Sequence, residues 1–330
     1  MYDMQRMLTS MLAGGLIALL IPPATAAEDV IRVAAVPCTC FAPLYIAEAK
    51  GYFHEARVSI EVTQVAAGQD AIAFLANGQL DALFGGVSAG LFNALRRGMD
   101  IRLVASMGGE TASREATPPV PLLIRADLYE AGLRGPADLK GRTVAVPGGL
   151  GATGSFDLAV QLAQGGLTLK DVNIVNLAMP DMIQALKNRS VDAAITTNPF
   201  LSRILTDKLA VIGAPSVGSL LGRSIAKTGV FLNPRFAASH QDLTGRFVGA
   251  LVRASQDLQG EGYADPGNLA ILARATGQDS KTLLFARYDF SPALDPGRVA
   301  LADIQQVFMR EGVLKQPADL SRVTMRQTGK

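Results

Sequence analysis

Short apolar runs alternate with segments of helical periodicity along most of the chain, and the whole alternation occurs twice. The first series predicts strands at 31–36, 58–63, 82–85 and 101–106, with helices near 43–50, 69–77 and 89–97. The second predicts strands at 143–146, 173–177, 193–196 and 210–212, with helices near 154–164, 181–188 and 199–207. The two series align as an internal repeat. Val33-Ala-Ala-Val-Pro37 stands 44 positions before Asp81-Ala, counted from Pro37, and Thr143-Val-Ala-Val-Pro147 stands 45 before Asp192-Ala, counted from Pro147. Strand and helix in strict alternation give parallel sheets covered on both faces. The expected fold class is therefore α/β, with two Rossmann-like lobes.

Ligands of open parallel sheets bind beyond the carboxyl ends of the strands. The loops at those ends are 38–42 and 86–88 in the first copy, and 148–155 and 197–200 in the second. With the lobes face to face, all of them line one cleft. Two extended stretches, 118–124 and 228–232, are expected as the connections between lobes, because proline holds its predecessor out of the helical region and the second is a short β run. Two crossings make a two-strand hinge. The first lobe is then discontinuous, 27–121 plus 229–330, and the second is 122–228.

Composition narrows the function. The 330 residues are 49% apolar and 18% charged, which is ordinary for a folded globular chain. Lys plus Arg number 31 against 29 Asp plus Glu, with no long basic run, so nucleic acid is not an expected partner. Near the start, Met11 to Ile21 is an uncharged apolar run after Arg6, followed by Ala24-Thr-Ala26. The run is too short to span a bilayer but suits a secretory signal with its small-residue cleavage site, read as residues 1–26. The mature chain is thus expected to be exported and periplasmic. The two cysteines, Cys38 and Cys40, share one tripeptide in the first ligand loop. They admit three readings: small residues lining the loop, a redox-sensitive disulfide, or a reactive thiol or metal ligand. Only two histidines exist, neither at ligand spacing, so no metal or cofactor is expected.

The chemistry concentrates in Val144 to Phe156, where Gly149-x-Gly151-x-x-Gly154 joins a strand to a helix. A dinucleotide fingerprint requires an acid at the end of the following strand, and here that strand runs into Ala178-Met179-Pro180. Asp181 reads instead as an acid in a helix first turn. The glycines better suit an anion held at a helix N-terminus, with Gly151 giving the turn and Thr153 and Ser155 adding hydroxyl donors. Thr39, Cys40, Phe41, Ser88, Asn198 and Phe200 complete the candidate ligand set, the two aromatics against the apolar part of a solute. Arg114 is the candidate direct countercharge, its guanidinium suited to a carboxylate or sulfonate. Asp81 and Asp192 read as structural partners just before their strands. No nucleophile elbow or zinc-protease motif is present, and no catalytic residue is expected.

The run Ala42-Pro-Leu-Tyr-Ile-Ala-Glu-Ala-Lys-Gly-Tyr-Phe53, then Ala76-Asn-Gly-Gln-Leu-Asp-Ala82, Gly98-Met-Asp-Ile-Arg-Leu-Val-Ala105, Asp138-Leu-Lys-Gly-Arg-Thr-Val-Ala-Val146 and Val230-Phe-Leu-Asn-Pro-Arg-Phe236, resembles the periplasmic substrate-binding proteins of the sulfonate, nitrate and thiamine-precursor class. The resemblance covers nearly the whole mature chain. It implies a type II periplasmic-binding-protein fold, a hinge-closing monomeric receptor, and delivery of a small anionic organic solute to an ABC permease. An alkanesulfonate or taurine-like compound is the first expectation; aromatic carboxylates, nitrate and pyrimidine precursors are alternatives. Readings of another class are a sensor for a membrane signalling partner and a thiamine-pyrimidine synthase-like enzyme, which shares the fold.

Overall fold

The computed structural model describes residues 30–112, 117–290 and 294–325. The expected signal segment 1–26 and Arg114 lie outside the described residues.

Two five-stranded sheets organise the chain. The first is built from β1 (Val30–Ala35), β2 (Ser59–Gln64), β3 (Ala82–Gly86) and β4 (Arg102–Ser106). A two-residue strand, β5 (Gly109–Glu110), leads to the second sheet, made of β6 (Leu122–Arg125), β7 (Thr143–Val146), β8 (Asn173–Asn176), β9 (Ala193–Ile195) and β10 (Ala210–Ala214). The chain returns through β11 (Ile225–Ala226) to β12 (Thr228–Leu232), which completes the first sheet.

The orders are β2-β1-β3-β12-β4 and β8-β7-β9-β6-β10, the same plan twice. Each sheet is mixed where a purely parallel one was expected. β12 runs antiparallel to β3 and β4, and β6 antiparallel to β9 and β10. In both sheets the reversed strand is the one that has just crossed from the other lobe, so its direction follows from the crossing and not from a strand-helix-strand unit. The stretches 118–124 and 228–232, expected as connections, supply these interior strands instead. The crossings lie just outside them, where β5 and β11 pair antiparallel, Ile225 with Glu110 and Ala226 with Gly109.

Both faces of each sheet are covered, which is why the central strands read as continuous apolar runs. In the first, Val33, Phe84 and Val230 pack under the helix Gln241–Gln256, while Ala34, Leu83 and Phe231 meet the helices Ile72–Asn77, Ala89–Arg96 and Leu301–Arg310. In the second, Val144, Ile195 and Leu122 meet the helix Thr153–Ala163, and Ala145, Ala194 and Leu123 meet the helices Asp181–Lys187 and Phe200–Thr206. The repeat's acids hold equivalent places. Asp81 N–H donates to Arg32 C=O, and its carboxylate accepts from Arg32 N–H at 2.9 Å and from the Arg32 guanidinium. Asp192 N–H donates to Thr143 C=O, and its carboxylate accepts from Thr143 N–H at 3.0 Å and from Arg125 at 3.3 Å. Asp81 thus staples β1, and Asp192 the start of β7, its counterpart in the repeat. Among the described residues no helix is long and apolar enough to cross a membrane.

Candidate functional site

The strand ends of both sheets open onto one cleft. Val36, Cys40 and Phe41 follow β1, Gly86 and Ser88 end β3, Pro147, Thr153 and Gly154 follow β7, and Ile195 to Thr197 end β9. Met179 and Val120 add apolar wall, and Tyr288 reaches in from the tail. Such a mostly apolar wall with a few placed polar groups suits a small organic molecule.

The glycine loop between β7 and its helix is largely satisfied by itself. Gly148 N–H donates to Asn176 Oδ1, Gly149 N–H to Val146 C=O, Gly151 N–H to Ser155 Oγ and Ala152 N–H to Gly149 C=O. Gly151 has φ +91°, and a Cβ there would stand 3.0 Å from Ala89 Cβ, so both the turn and the close approach require glycine. The N–H groups of Thr153 and Gly154, in the first turn of the Thr153–Ala163 helix, have no acceptor among the described residues and border the cleft. A helix N-terminus leaves such donors free and carries a partial positive charge.

The lobes touch across the cleft. Gln69 Nε2 donates to Gly148 C=O at 2.8 Å, Ala89 N–H to Gly151 C=O at 2.8 Å, and Thr153 Oγ1 to Val87 C=O at 2.9 Å. A second set joins the tail to the second lobe: Tyr288 and Thr197 share a hydroxyl hydrogen bond of 2.7 Å, and Gln278 Nε2 donates to Pro199 C=O at 2.9 Å.

Three buried charges interlock, two of them, Lys227 and Asp157, in the cleft wall. Lys227, between β11 and β12, contacts both Glu110 of β5 and Asp157 of the Thr153–Ala163 helix. Their side chains are 5%, 1% and 2% exposed, so all three have lost most of their water. Burial is the larger influence on Asp157 and, with Glu110 beside it, outweighs Lys227, so its carboxyl is pushed up to about 7. Lys227 is pushed above the usual ammonium range because the two carboxylates together outweigh its own burial.

The expected site residues divide. Cys40, Phe41, Ser88 and Thr153 border the cleft; Thr39, Gly151, Ser155, Asn198 and Phe200 are not in its wall. Phe41 is also core, edge-on to Phe84 with ring centroids 5.7 Å apart. Ser88 caps the next helix by accepting from Leu91 N–H, and Thr153's hydroxyl is engaged across the lobes. Ser155 Oγ donates to Ala152 C=O at 2.7 Å, so the donor expected for an anion is used locally. Asn198 accepts from Ser202, Phe200 opens the helix Phe200–Thr206, and Thr39 is buried with its hydroxyl unpartnered. Cys38 and Cys40 are joined by a disulfide, and both border the cleft. Among the described residues no cluster of His, Cys, Asp and Glu could hold a metal.

The family model described as NMT1/THI5 like matches residues 39–261, which holds the second sheet, all of the first but β1, and most of the cleft. The chain belongs to the NMT1/THI5-like family. No curated protein matches it in sequence. Among solved structures, the alkanesulfonate-binding protein SsuA from Xanthomonas axonopodis pv. citri, bound to MOPS, is similar at TM-score 0.71 and 20% identity, covering 91% of this chain and 100% of that one. The periplasmic nitrate-binding protein NrtA from Synechocystis PCC 6803 is similar at TM-score 0.70 and 14% identity, with 90% and 86% covered. The desulfurization enzyme DSZB is similar at TM-score 0.65 and 19% identity, with 91% and 97% covered. The fold is therefore that of the two-lobed periplasmic binding proteins.

In this NMT1/THI5-like chain, sequence reasoning missed Glu110, Asp157, Lys227, Thr196 and Tyr288. Asp157 had a signal: it stands within Phe156-Asp-Leu-Ala-Val160, all buried, where an acid must have a partner. Lys227 had a weaker one, a lone charge between two apolar β runs.

Proposed function

We propose that the chain is the extracytoplasmic receptor of an ABC importer and binds one small oxyanion-bearing organic solute, of alkanesulfonate type, between its lobes. Residues 1–26 are the export signal, and the lobes 27–121 plus 229–330 and 122–228 close about the β5–β11 ribbon. The observation that carries the reading is the cleft itself. Two free N–H groups of the Thr153–Ala163 helix border a largely apolar wall, and hydrogen bonds join the two lobes across it. The solute's oxyanion accepts from Thr153 and Gly154 N–H, and its carbon skeleton packs on Phe41, Met179 and Ile195. Closure gives the permease a shape by which to tell loaded receptor from empty.

The test is a dye-based thermal shift of the mature chain against alkanesulfonates, nitrate, phthalates and aminopyrimidines. A ligand at about 1,000 times its dissociation constant adds about 4 kcal/mol, a rise of several degrees. A shift confined to sulfonates supports the reading; a shift with another class alone overturns the choice of solute.

A further inference from the structure

We propose that the Cys38–Cys40 disulfide is a redox modification site in the cleft wall: the bridged chain binds solute, and a dithiol that opens the bridge weakens binding without unfolding the protein. Such a control rests on the receptor reading above, whose cleft the bridge borders.

Cys38 and Cys40 are the only cysteines of the chain, they are joined to each other, and both stand in the cleft wall. A bridge between residues two apart closes too small a loop to restrain the unfolded chain much, so stability does not explain its presence. The turn that carries it is fixed from behind. Phe41 N–H donates to Cys38 C=O at 3.1 Å, Thr39 is fully buried, and the Phe41 ring stands edge-on to Phe84 in the core. The cleft is the open side of this turn.

Opening the bridge changes the shape of that wall. Bonded sulfurs stand about 2.05 Å apart, whereas nonbonded heavy atoms keep about 3.5–4 Å, so two thiols need about 1.5–2 Å more. With the core packed behind them, they take it from the cleft. The displacement also reaches a contact between the lobes. Cys40 C=O accepts from Gly108 N–H at 2.9 Å, and a Cβ on Gly108 would stand 3.0 Å from that carbonyl oxygen and 2.8 Å from Tyr288 Cβ, so the three residues are closely packed. Tyr288 in turn shares its 2.7 Å hydroxyl hydrogen bond with Thr197 of the second lobe. A moved Cys40 therefore disturbs both the surface on which solute packs and the latch across the cleft.

The exchange has a preferred direction. Cys38 Sγ accepts a hydrogen bond from Cys40 N–H at 3.0 Å, which favours Cys38 as the leaving thiolate. A thiolate of the dithiol attacks Cys40 Sγ, the sulfur–sulfur bond breaks, and its electron pair goes to Cys38 Sγ, which then takes a proton. The second thiol of the reductant loses its proton and displaces Cys40 from the mixed disulfide. Two electrons and two protons pass to the protein, and the dithiol leaves as a disulfide.

The test is isothermal titration of the mature chain with ethanesulfonate, once in the bridged form and once under nitrogen after dithiothreitol treatment, with alkylation counting the thiols. The bridged chain should bind about tenfold tighter, while the solute-free melting temperatures of the two forms agree within a degree or two. Binding and reduction are linked. Saturating ethanesulfonate should therefore raise, by the same factor, the ratio of reduced to oxidised dithiothreitol that opens half the bridges. Cys38→Ser combined with Cys40→Ser should show the weak affinity and no response to dithiothreitol; if that variant does not fold, the linkage measurement on the wild type decides. Equal or tighter binding by the reduced chain, or a bridge that dithiothreitol does not open in the folded protein, overturns the proposal and leaves the receptor reading standing. Binding of ethanesulfonate to neither form overturns both.

Discussion

Replacing Gly86 with alanine should prevent the two lobes from meeting. A Cβ at this position would stand 2.0 Å from Thr153 Oγ1 and 2.9 Å from Thr153 Cβ. Rotating the threonine can move its oxygen, but its Cβ is fixed to the helix, so the lobes themselves must separate. The closed form then loses the Thr153–Val87 hydrogen bond, about 1 kcal/mol, and meets an overpacking penalty of about 1–3 kcal/mol. The sum, about 2–4 kcal/mol, corresponds to a solute affinity about 30- to 700-fold weaker. Gly86 does not have a positive φ, so alanine suits its backbone and the solute-free melting temperature should change by only a degree or two, about what a substitution outside the core produces. Titration calorimetry of wild type, Gly86→Ala and Thr153→Ala separates the contributions, since Thr153→Ala removes the hydrogen bond alone and should weaken binding about fivefold. Unchanged affinity in Gly86→Ala, or a loss of stability in the free protein as large as the loss in binding, would refute the closing of the cleft at this contact.

The buried charges give two further expectations. Lys227→Met leaves two carboxylates without a cation and should lower stability in urea by about 3–5 kcal/mol near neutral pH, with a smaller loss in acid. Asp157 titrates near 7 in the folded chain, above its ordinary 3.8, so its contribution is complete below about 3.8 and is lost as the pH rises through about 7. Urea midpoints across that window should therefore fall with pH in the wild type and flatten in Asp157→Asn. Asp81→Ala and Asp192→Ala, equivalent by the repeat, should each destabilise by about 1.5–3 kcal/mol in the same assay; a large effect at one site alone would contradict the equivalence. The Cys38–Cys40 bridge closes only a short loop, so reduction should change the melting temperature little, and the unreduced, denatured chain should take up no alkylating label.

Much of the architecture was legible because the strands are covered on both faces and the repeat fixes their order. The run Thr143-Val-Ala-Val146 can be read as a buried strand on composition alone, and β7 has those limits. Direction was not legible for Leu122–Arg125 and Thr228–Leu232. Their pairing partners are distant in sequence, and an apolar run reads the same forwards and backwards. The site was legible as loops and less so as side chains. Loop positions follow from sheet topology, which explains why Phe41, Ser88 and Thr153 border the cleft. Ser155 and Asn198 were credited with hydroxyl and amide chemistry that their own neighbours consume, a local competition that composition does not reveal. Glu110 and Lys227 meet only through the crossing of two strands 115 residues apart, counted from Glu110 to Ile225, and no spacing rule announces such a contact.

A crystal structure of the mature chain with the sulfonate that binds most tightly tests the central claim most directly. The account predicts one solute molecule between the lobes, its oxyanion within hydrogen-bonding distance of Thr153 and Gly154 N–H and its carbon skeleton against Phe41 and Met179. A solute bound outside this cleft, or within it with its oxyanion turned away from the Thr153–Ala163 helix, would contradict it.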